Sequence, residues 1–201
     1  MAKDYVGNKI SSYVTNGASS HSSQEREEND YYATAPLATK LLLELETFDK
    51  NIWEPACGEN HITNILKADG YNVRTSDIID RIGDGSVEIK DFLNNSEIFD
   101  GDIITNPPYK FALEFAERCL EAVKEGHKVA LFLKLTFLET RTRKAFFEKY
   151  PPKIVYVSSN RLGCAKNGEF EGKDNIGSAV AYCWYIWEKG FQGDPIIKWF
   201  N

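Results

Sequence analysis

The tetrapeptide Asn106-Pro107-Pro108-Tyr109 carries residue types suited to chemistry, and it follows closely on the apolar pair Ile103-Ile104. Each proline fixes its own φ and pushes the residue before it into extended geometry, so Asn106 and Pro107 are predicted to be rigidly extended. The Asn106 side-chain oxygen and the Pro107 carbonyl oxygen then project as two hydrogen-bond acceptors. Such a pair suits an amino group, because it favours the more nucleophilic form of an aromatic amine as positive charge develops on nitrogen.

Residues 106–109 form the predicted reaction loop, and Pro108 and Tyr109 complete it. Pro108 keeps the loop stiff, and Tyr109 adds a flat face on which a ring can stack. The alternative interpretation is that Asn-Pro and Pro-Pro only mark the end of a strand. The surrounding chain has to decide between the two.

A second candidate site lies earlier in the chain. The short apolar strand 51–54 runs into the small-residue turn Pro55-Ala56-Cys57-Gly58, and residues 61–68 have helical spacing. A strand, a small-residue turn and a helix let a ligand approach backbone N–H groups. The next strand ends in Asp77, about 20 residues beyond the glycine turn, where an acidic side chain can hold the two hydroxyls of a ribose. The alternative is an aspartate that faces solvent at a strand end.

Two further patterns have open interpretations. Asp91 and Phe92 follow a weak strand at 87–90, so they are placed to contact an adenine ring, but core packing of Phe92 is an equally good interpretation. Thr34 can cap a helix whose first turn accommodates Pro36.

The elements that must position these residues alternate between strands and helices. After the reaction loop come an amphipathic helix at 111–125, an uninterrupted apolar strand at 129–133, a basic helix at 140–150, a strand at 154–157, a long polar loop and a last apolar strand at 179–187. Alternation of this kind predicts a doubly wound α/β sheet with ligands at the C-terminal ends of its strands. Residues 1–29 are predicted to be a flexible arm, and residues 30–201 one domain.

Composition excludes several classes of protein. The chain has 201 residues, 42% of them hydrophobic, without any apolar run near the roughly 20 residues of a membrane span. Its polar N-terminus does not resemble a signal peptide, so we expect a cytoplasmic protein without membrane contact. The four cysteines show no CxxC pair and the three histidines are scattered, so neither a disulfide framework nor a metal site is expected.

Charge is unevenly distributed. The net charge is −6, yet residues 134–173 carry nine Lys and Arg against four Asp and Glu, a net +5. This segment is predicted to be a phosphate-facing strip on an otherwise acidic body, with a solvated helix face as the alternative. The candidate substrate-binding cations are Arg141, Arg143, Lys144, Arg161 and Lys166.

The order of these motifs resembles that of S-adenosylmethionine-dependent, adenine-specific (N6) DNA methyltransferases, in particular their small, phage-encoded type. The resemblance covers nearly all of residues 30–187. It implies the class I methyltransferase fold, a Rossmann-like, mostly parallel sheet of seven strands with an antiparallel last strand and helices on both faces. It implies that the cofactor, S-adenosylmethionine, is bound by Tyr32, Thr34, Glu54, Ala56, Cys57, Gly58, Asp77, Ile78, Asp91, Phe92 and Asn106. It also implies catalytic roles for Asn106, Pro107, Pro108 and Tyr109, with Tyr109 contacting the substrate.

The expected reaction is methyl transfer to the exocyclic amine of adenine in DNA, with the base flipped out or taken from a single strand. An RNA base, a protein glutamine amide, and a non-catalytic nucleoside-binding partner subunit remain as alternatives. Two features depart from the family pattern. Asn60 stands where another glycine is common, although asparagine tolerates positive φ. We expect no target-recognition region beyond Trp187, so the source of sequence specificity is open, and a homodimer and a separate specificity partner are the candidate partners.

Overall fold

The structure, a computed structural model, describes residues 32–160, 162, 164–165 and 180–200. The helices are α1 (Pro36–Leu45), α2 (His61–Ala68), α3 (Ala112–Ala122) and α4 (Arg141–Lys149). The strands are β1 (Ala33–Thr34), β2 (Asn51–Glu54), β3 (Asn72–Asp77), β4 (Glu88–Ile89), β5 (Asp102–Thr105), β6 (Lys128–Lys134), β7 (Ile154–Ser158), β8 (Cys164–Ala165), β9 (Tyr182–Glu188) and β10 (Ile196–Phe200). Across the described ranges, no helix combines the length and the apolar character that crossing a membrane requires.

Eight strands form one mixed sheet in the order β10-β7-β9-β6-β5-β2-β3-β4. β9 runs antiparallel to its neighbours β6 and β7, and the other pairs are parallel. The mostly parallel α/β sheet with an antiparallel strand near its end is confirmed. β1 and β8 form a separate antiparallel ribbon, in which Thr34 lies opposite Cys164.

The prediction of seven strands was one short. β10 adds an eighth strand parallel to β7 at the edge of the sheet, and its Ile196, Ile197 and Trp199 side chains are exposed. The residues of β10 are mainly apolar but follow a turn-rich segment, and a five-residue run of this kind does not by itself distinguish a strand from a loop. The predicted antiparallel strand is therefore the next to last in the chain.

Two apolar clusters cover the two faces of the sheet. The alternation along β6 shows this directly, because Leu131 and Leu133 pack into one cluster whereas Ala130 and Phe132 pack into the other. Successive strand residues point to opposite faces, so an uninterrupted apolar run marks a strand covered on both sides. The central, doubly covered position predicted for residues 129–133 is confirmed.

Two helix starts differ from the predictions. The N-cap of α1 is Ala35 and carries no side-chain cap, whereas Thr34, the predicted cap, lies in β1. Pro36 occupies the first turn, where its missing N–H needs no partner, so the helix can begin without a capping hydroxyl. α3 begins at Ala112 after a short 3-10 turn, Tyr109–Phe111, that leads out of the reaction loop.

Candidate active site

A cavity of about 990 Å³ lies where β2, β3, β5 and β6 end, the edge at which parallel α/β sheets bind ligands. Twelve of the residues nominated from the sequence line it. They are Tyr32, Thr34, Glu54, Ala56, Cys57, Asp77, Ile78, Asp91, Phe92, Asn106, Pro108 and Tyr109. The cavity therefore brings the two stretches of candidate residues into one site.

The turn after β2 is held against the end of β3. Its tight path requires positive φ at Gly58 (53°) and at Asn60 (64°), so asparagine does adopt the conformation expected of it there. The backbone N–H of Gly58 donates to Asp77 Oδ2 at 2.8 Å, and that of Cys57 donates to the Ser76 carbonyl at 3.1 Å. Gly58 does not line the cavity, so its contribution is to shape the turn and orient Asp77.

Asp77 is buried, with 8% of its surface exposed, so the solvent-facing alternative is wrong. Its Oδ1 accepts from the Ile79 N–H at 3.1 Å, and Oδ2 accepts from Gly58. A carboxylate has about four acceptor positions, so two remain for further donors, the number that a ribose edge offers. Beside it, Ile78 is 58% exposed although it lines the cavity, which leaves an apolar surface for a flat ring.

Glu54 lies fully buried at the end of β2. Burial raises the pKa of its carboxyl group from 4.5 to about 8, even though the Thr63 hydroxyl donates to Oε2. Burial, together with Glu54 and Asp77, also raises the pKa of the Cys57 thiol. A neutral thiol is a weak nucleophile, so Cys57 serves as a small wall residue and not as a reactive group.

Asp91 and Phe92 lie in different environments, one exposed and one buried. Asp91 is exposed and accepts hydrogen bonds from the Leu93 N–H and from the Asn94 side chain. Phe92 is 2% exposed and packs edge-on against Trp53, with ring centroids 5.1 Å apart. Both line the cavity, so Phe92 is a core residue with one edge at the site, and the two interpretations of it are compatible.

The reaction loop orients Asn106 through a contact from outside the loop. Asn106 Nδ2 donates to the backbone carbonyl oxygen of Tyr32 at 2.7 Å. Because a carbonyl only accepts, this bond identifies the nitrogen end of the amide and fixes the direction of Oδ1. Pro107 is buried and does not line the cavity, whereas Pro108 does.

The Tyr109 ring is not uncovered, although the sequence predicts a free face for stacking. Its ring stacks on Tyr32 at 5.5 Å and lies 5.7 Å from the ring of Tyr182, and the Lys134 ammonium is 4.8 Å from its centroid. The aromatic neighbours come from the residue before β1 and from β9, which are remote in the chain. A planar acceptor that stacks on a face covered by one of these three groups has to displace that group.

The predicted phosphate strip is only partly available. Arg141 is exposed, but Arg143 lies 4.7 Å from the Phe137 ring centroid and donates to the Thr136 carbonyl, and Lys144 pairs with Glu148. None of these three cations lines the cavity. The remaining two nominated cations, Arg161 and Lys166, lie outside the described residues.

Several lining residues were not predicted from the sequence. They are His61, Ile62, Arg81, Lys90, Leu93, Asn94, Lys110, Phe111, Phe115, Lys134 and two flanking positions, Ala33 and Pro55. For Lys134 a signal was present, because it is the last residue of an apolar strand, and parallel strands end at the ligand edge. The other cations gave no such signal.

The residues present fit a nucleoside. Within the described part of the chain, the buried Thr34 Oγ1 has no hydrogen-bond partner although Thr34 lines the cavity, so a bound ligand would satisfy it. Asp77 has capacity for ribose hydroxyls, and Ile78 offers an apolar face.

No protein-family model and no curated protein matches the chain in sequence. Solved structures do resemble it. A Listeria monocytogenes protein assigned to the class I S-adenosylmethionine-dependent methyltransferases is 14% identical over 88% of this chain and 68% of that chain, with a TM-score of 0.59. A Pyrococcus horikoshii protein assigned as an RNA methyltransferase is 13% identical over 92% of this chain and 100% of that chain, with a TM-score of 0.57.

The M protein of the type I restriction enzyme EcoKI is 13% identical over 90% of this chain and 47% of that chain, with a TM-score of 0.55. The fold is that of the class I S-adenosylmethionine-dependent methyltransferases, as the motif order predicts. S-adenosylmethionine is the cofactor that the resemblance of the sequence motifs implies, and this fold is compatible with it. At these identities the likeness extends to the fold and not to the acceptor.

Proposed function

We propose that this chain is an N-methyltransferase that transfers the methyl group of S-adenosylmethionine to the exocyclic amine of adenine in DNA. The observation that carries the proposal is the hydrogen bond from Asn106 Nδ2 to the Tyr32 carbonyl, at the wall of a cavity that fits a nucleoside. An amide held by its nitrogen presents its oxygen as a fixed acceptor. A fixed acceptor beside a methyl donor is what an amino nucleophile requires.

The cofactor would lie between the turn after β2 and the end of β3. Asp77 would accept from its ribose hydroxyls, Ile78 and the edge of Phe92 would cover its adenine, and Asp91 would accept from the adenine amine. Thr34 Oγ1 and the segment at Tyr32 would border its methionine end, while Ala56 and Cys57 form the wall beneath it. When bound, S-adenosylmethionine supplies a methyl group activated by a sulfonium.

The acceptor would enter beside the reaction loop. Asn106 Oδ1 accepts a hydrogen bond from the amine and favours its pyramidal form, and Pro107 and Pro108 limit the movement of that oxygen. Tyr109 stacks on the base once a neighbour of its ring has moved aside. The amine inside a duplex is out of reach, so the base is flipped out or comes from a single strand. The methylated amine then releases a proton to water, and no strongly basic side chain is needed.

A panel of acceptors tests this proposal. The protein is incubated with methyl-labelled S-adenosylmethionine and, separately, with adenine-containing single- and double-stranded DNA, the same sequences as RNA, and a glutamine-containing protein. We expect label in DNA, recovered as N6-methyladenine after digestion. If label appears only in RNA or only in protein, that molecule and not DNA is the acceptor. Cofactor binding without transfer to any of them would identify a nucleoside-binding partner subunit.

A further inference from the structure

Lys134 is one of the cavity residues that the proposed reaction does not use. It is the last residue of β6, it lines the cavity, and its ammonium lies 4.8 Å from the centroid of the Tyr109 ring. Among the described residues, no Asp or Glu side chain forms an ion pair with it. Lys90, which also lines the cavity, differs in this respect, because Glu88 and Glu97 pair with it.

The contact with Tyr109 does not by itself account for a lysine at this place. A cation over an exposed aromatic ring contributes about 0.5–1 kcal/mol, which an apolar side chain packed there would match. A cationic cofactor would also be repelled by a nearby ammonium. A negative charge that arrives with the acceptor would pair with the positive charge of Lys134.

The surroundings of the Tyr109 ring indicate how a negative group of the acceptor can come close to Lys134. Tyr32, Tyr182 and the Lys134 ammonium lie around the Tyr109 ring, and a base that stacks on a face covered by one of these groups displaces that group. Tyr32 belongs to the segment that anchors Asn106, and Tyr182 is 7% exposed and stacks on Phe132 at 5.4 Å. The lysine head group, on a flexible four-carbon stem, is the group that moves most easily.

We propose that Lys134 is a specificity-determining residue that binds a backbone phosphate of the acceptor strand when the target base displaces its ammonium from Tyr109. The inference rests on the proposed function and deepens it. In the resting protein Lys134 covers the ring. In the complex it pairs with a phosphate beside the target nucleotide, so the site selects an acceptor that carries both an amine and a neighbouring anion. A glutamine side chain lacks that anion.

The salt dependence of DNA binding tests this inference. Lys134→Met removes the charge and keeps an unbranched stem against Tyr109, and Lys40→Met removes one charge from an exposed position of α1 as a matched control. Binding of a fluorescent, adenine-containing single-stranded oligonucleotide is measured from low to moderate salt, with cofactor affinity and thermal unfolding in parallel. One lost phosphate contact reduces the slope of log K against log salt by about 0.7.

We expect Lys134→Met to lower that slope, to weaken binding at low salt by on the order of fivefold, and to raise KM for DNA more than it lowers kcat. Lys40→Met should leave all three unchanged, and Lys134→Arg should restore the slope. An unchanged slope in Lys134→Met, with or without a loss of thermal stability, would overturn the inference while the wild type still methylates DNA. A wild-type protein that transfers no methyl group to DNA would overturn the proposed function itself.

Discussion

The side-chain amide of Asn106 and the backbone carbonyl of Tyr32 are joined by a 2.7 Å hydrogen bond between positions 74 residues apart. The bond sets the direction of the amide oxygen, and it uses a main-chain acceptor that no substitution at position 32 removes. The position of that carbonyl depends instead on the β1–β8 ribbon that follows it. The reaction loop is thus oriented by a segment that belongs to neither the loop nor its strand.

Asn106→Ala is expected to abolish most methyl transfer and to leave the fold intact. The substitution removes one fixed acceptor for the amine, and the loss of one such polarising group lowers kcat by on the order of 10² to 10³. Single-turnover rates and the dissociation constant of S-adenosylmethionine are the measurements. Asn64→Ala, at an exposed position of α2, is the matched control. A near wild-type rate in folded Asn106→Ala would contradict the mechanism.

Asp77→Asn is expected to weaken cofactor binding by roughly tenfold to a hundredfold, because hydrogen bonds to a charged acceptor contribute about 1.5–3 kcal/mol. Calorimetric titration with S-adenosylmethionine measures this effect. Asp77 also accepts from Gly58 and Ile79, so thermal unfolding of the cofactor-free protein has to be followed as well. If Asp77→Asn lowers stability and leaves cofactor affinity unchanged, Asp77 supports the fold and does not bind the cofactor. Asp69→Asn, exposed after α2, provides the control.

Glu54→Gln is expected to remove a pH dependence of stability. Burial raises the folded-state pKa of Glu54 from 4.5 to about 8, so between these values the folded protein holds a proton that the unfolded chain has released. Stability then falls by about 1.4 kcal/mol per pH unit as pH rises through this window, and the dependence ends above pH 8. Glutamine stays neutral and can still accept from Thr63.

Urea unfolding at pH 5 to 9 measures the difference between wild type and Glu54→Gln. That difference should change steadily up to about pH 8 and then level off. Glu44→Gln, at an exposed position of α1, should run parallel to the wild type. A constant difference across the range would show that Glu54 is ionised in the folded protein.

Arg141→Glu is expected to weaken binding to single-stranded DNA by about fivefold at low salt and to leave cofactor affinity unchanged. Arg141 is the exposed cation of α4 for which the structure gives no competing contact, whereas Arg143 supports Thr136 and Phe137. Fluorescence anisotropy at several salt concentrations measures the change. Lys67→Glu introduces the same charge change on α2. If Arg141→Glu and Lys67→Glu weaken DNA binding equally, the nucleic-acid surface does not lie on α4.

Much of the site follows from one rule about strand ends. Asp77 ends β3, Glu54 ends β2 and Asn106 follows β5, and because parallel strands present their C-terminal ends at one edge, these side chains meet without any knowledge of long-range contacts. The same rule applies to Lys134 at the end of β6. At Lys134, however, the charge pattern of the sequence favours the basic helix that follows as the substrate surface.

The remaining differences come from pairings between distant segments. Thr34 has the features of a helix cap when only its neighbours are considered, but its backbone pairs with Cys164 in β8. The tetrapeptide alone suggests that the Tyr109 ring is uncovered, yet Tyr32, which precedes β1, and Tyr182, in β9, pack against it. Local patterns carry no information about such partners.

The β1–β8 ribbon bears on how the protein matures during biosynthesis. When a nascent chain has emerged from the ribosome only as far as β7, it already presents the turn after β2, Asp77 and Asn106, but the partner of Ala33 and Thr34 is still inside the exit tunnel. The carbonyl of Tyr32 lacks its final support at that stage. The proposed site is therefore completed late in translation, after Cys164 and Ala165 have left the exit tunnel.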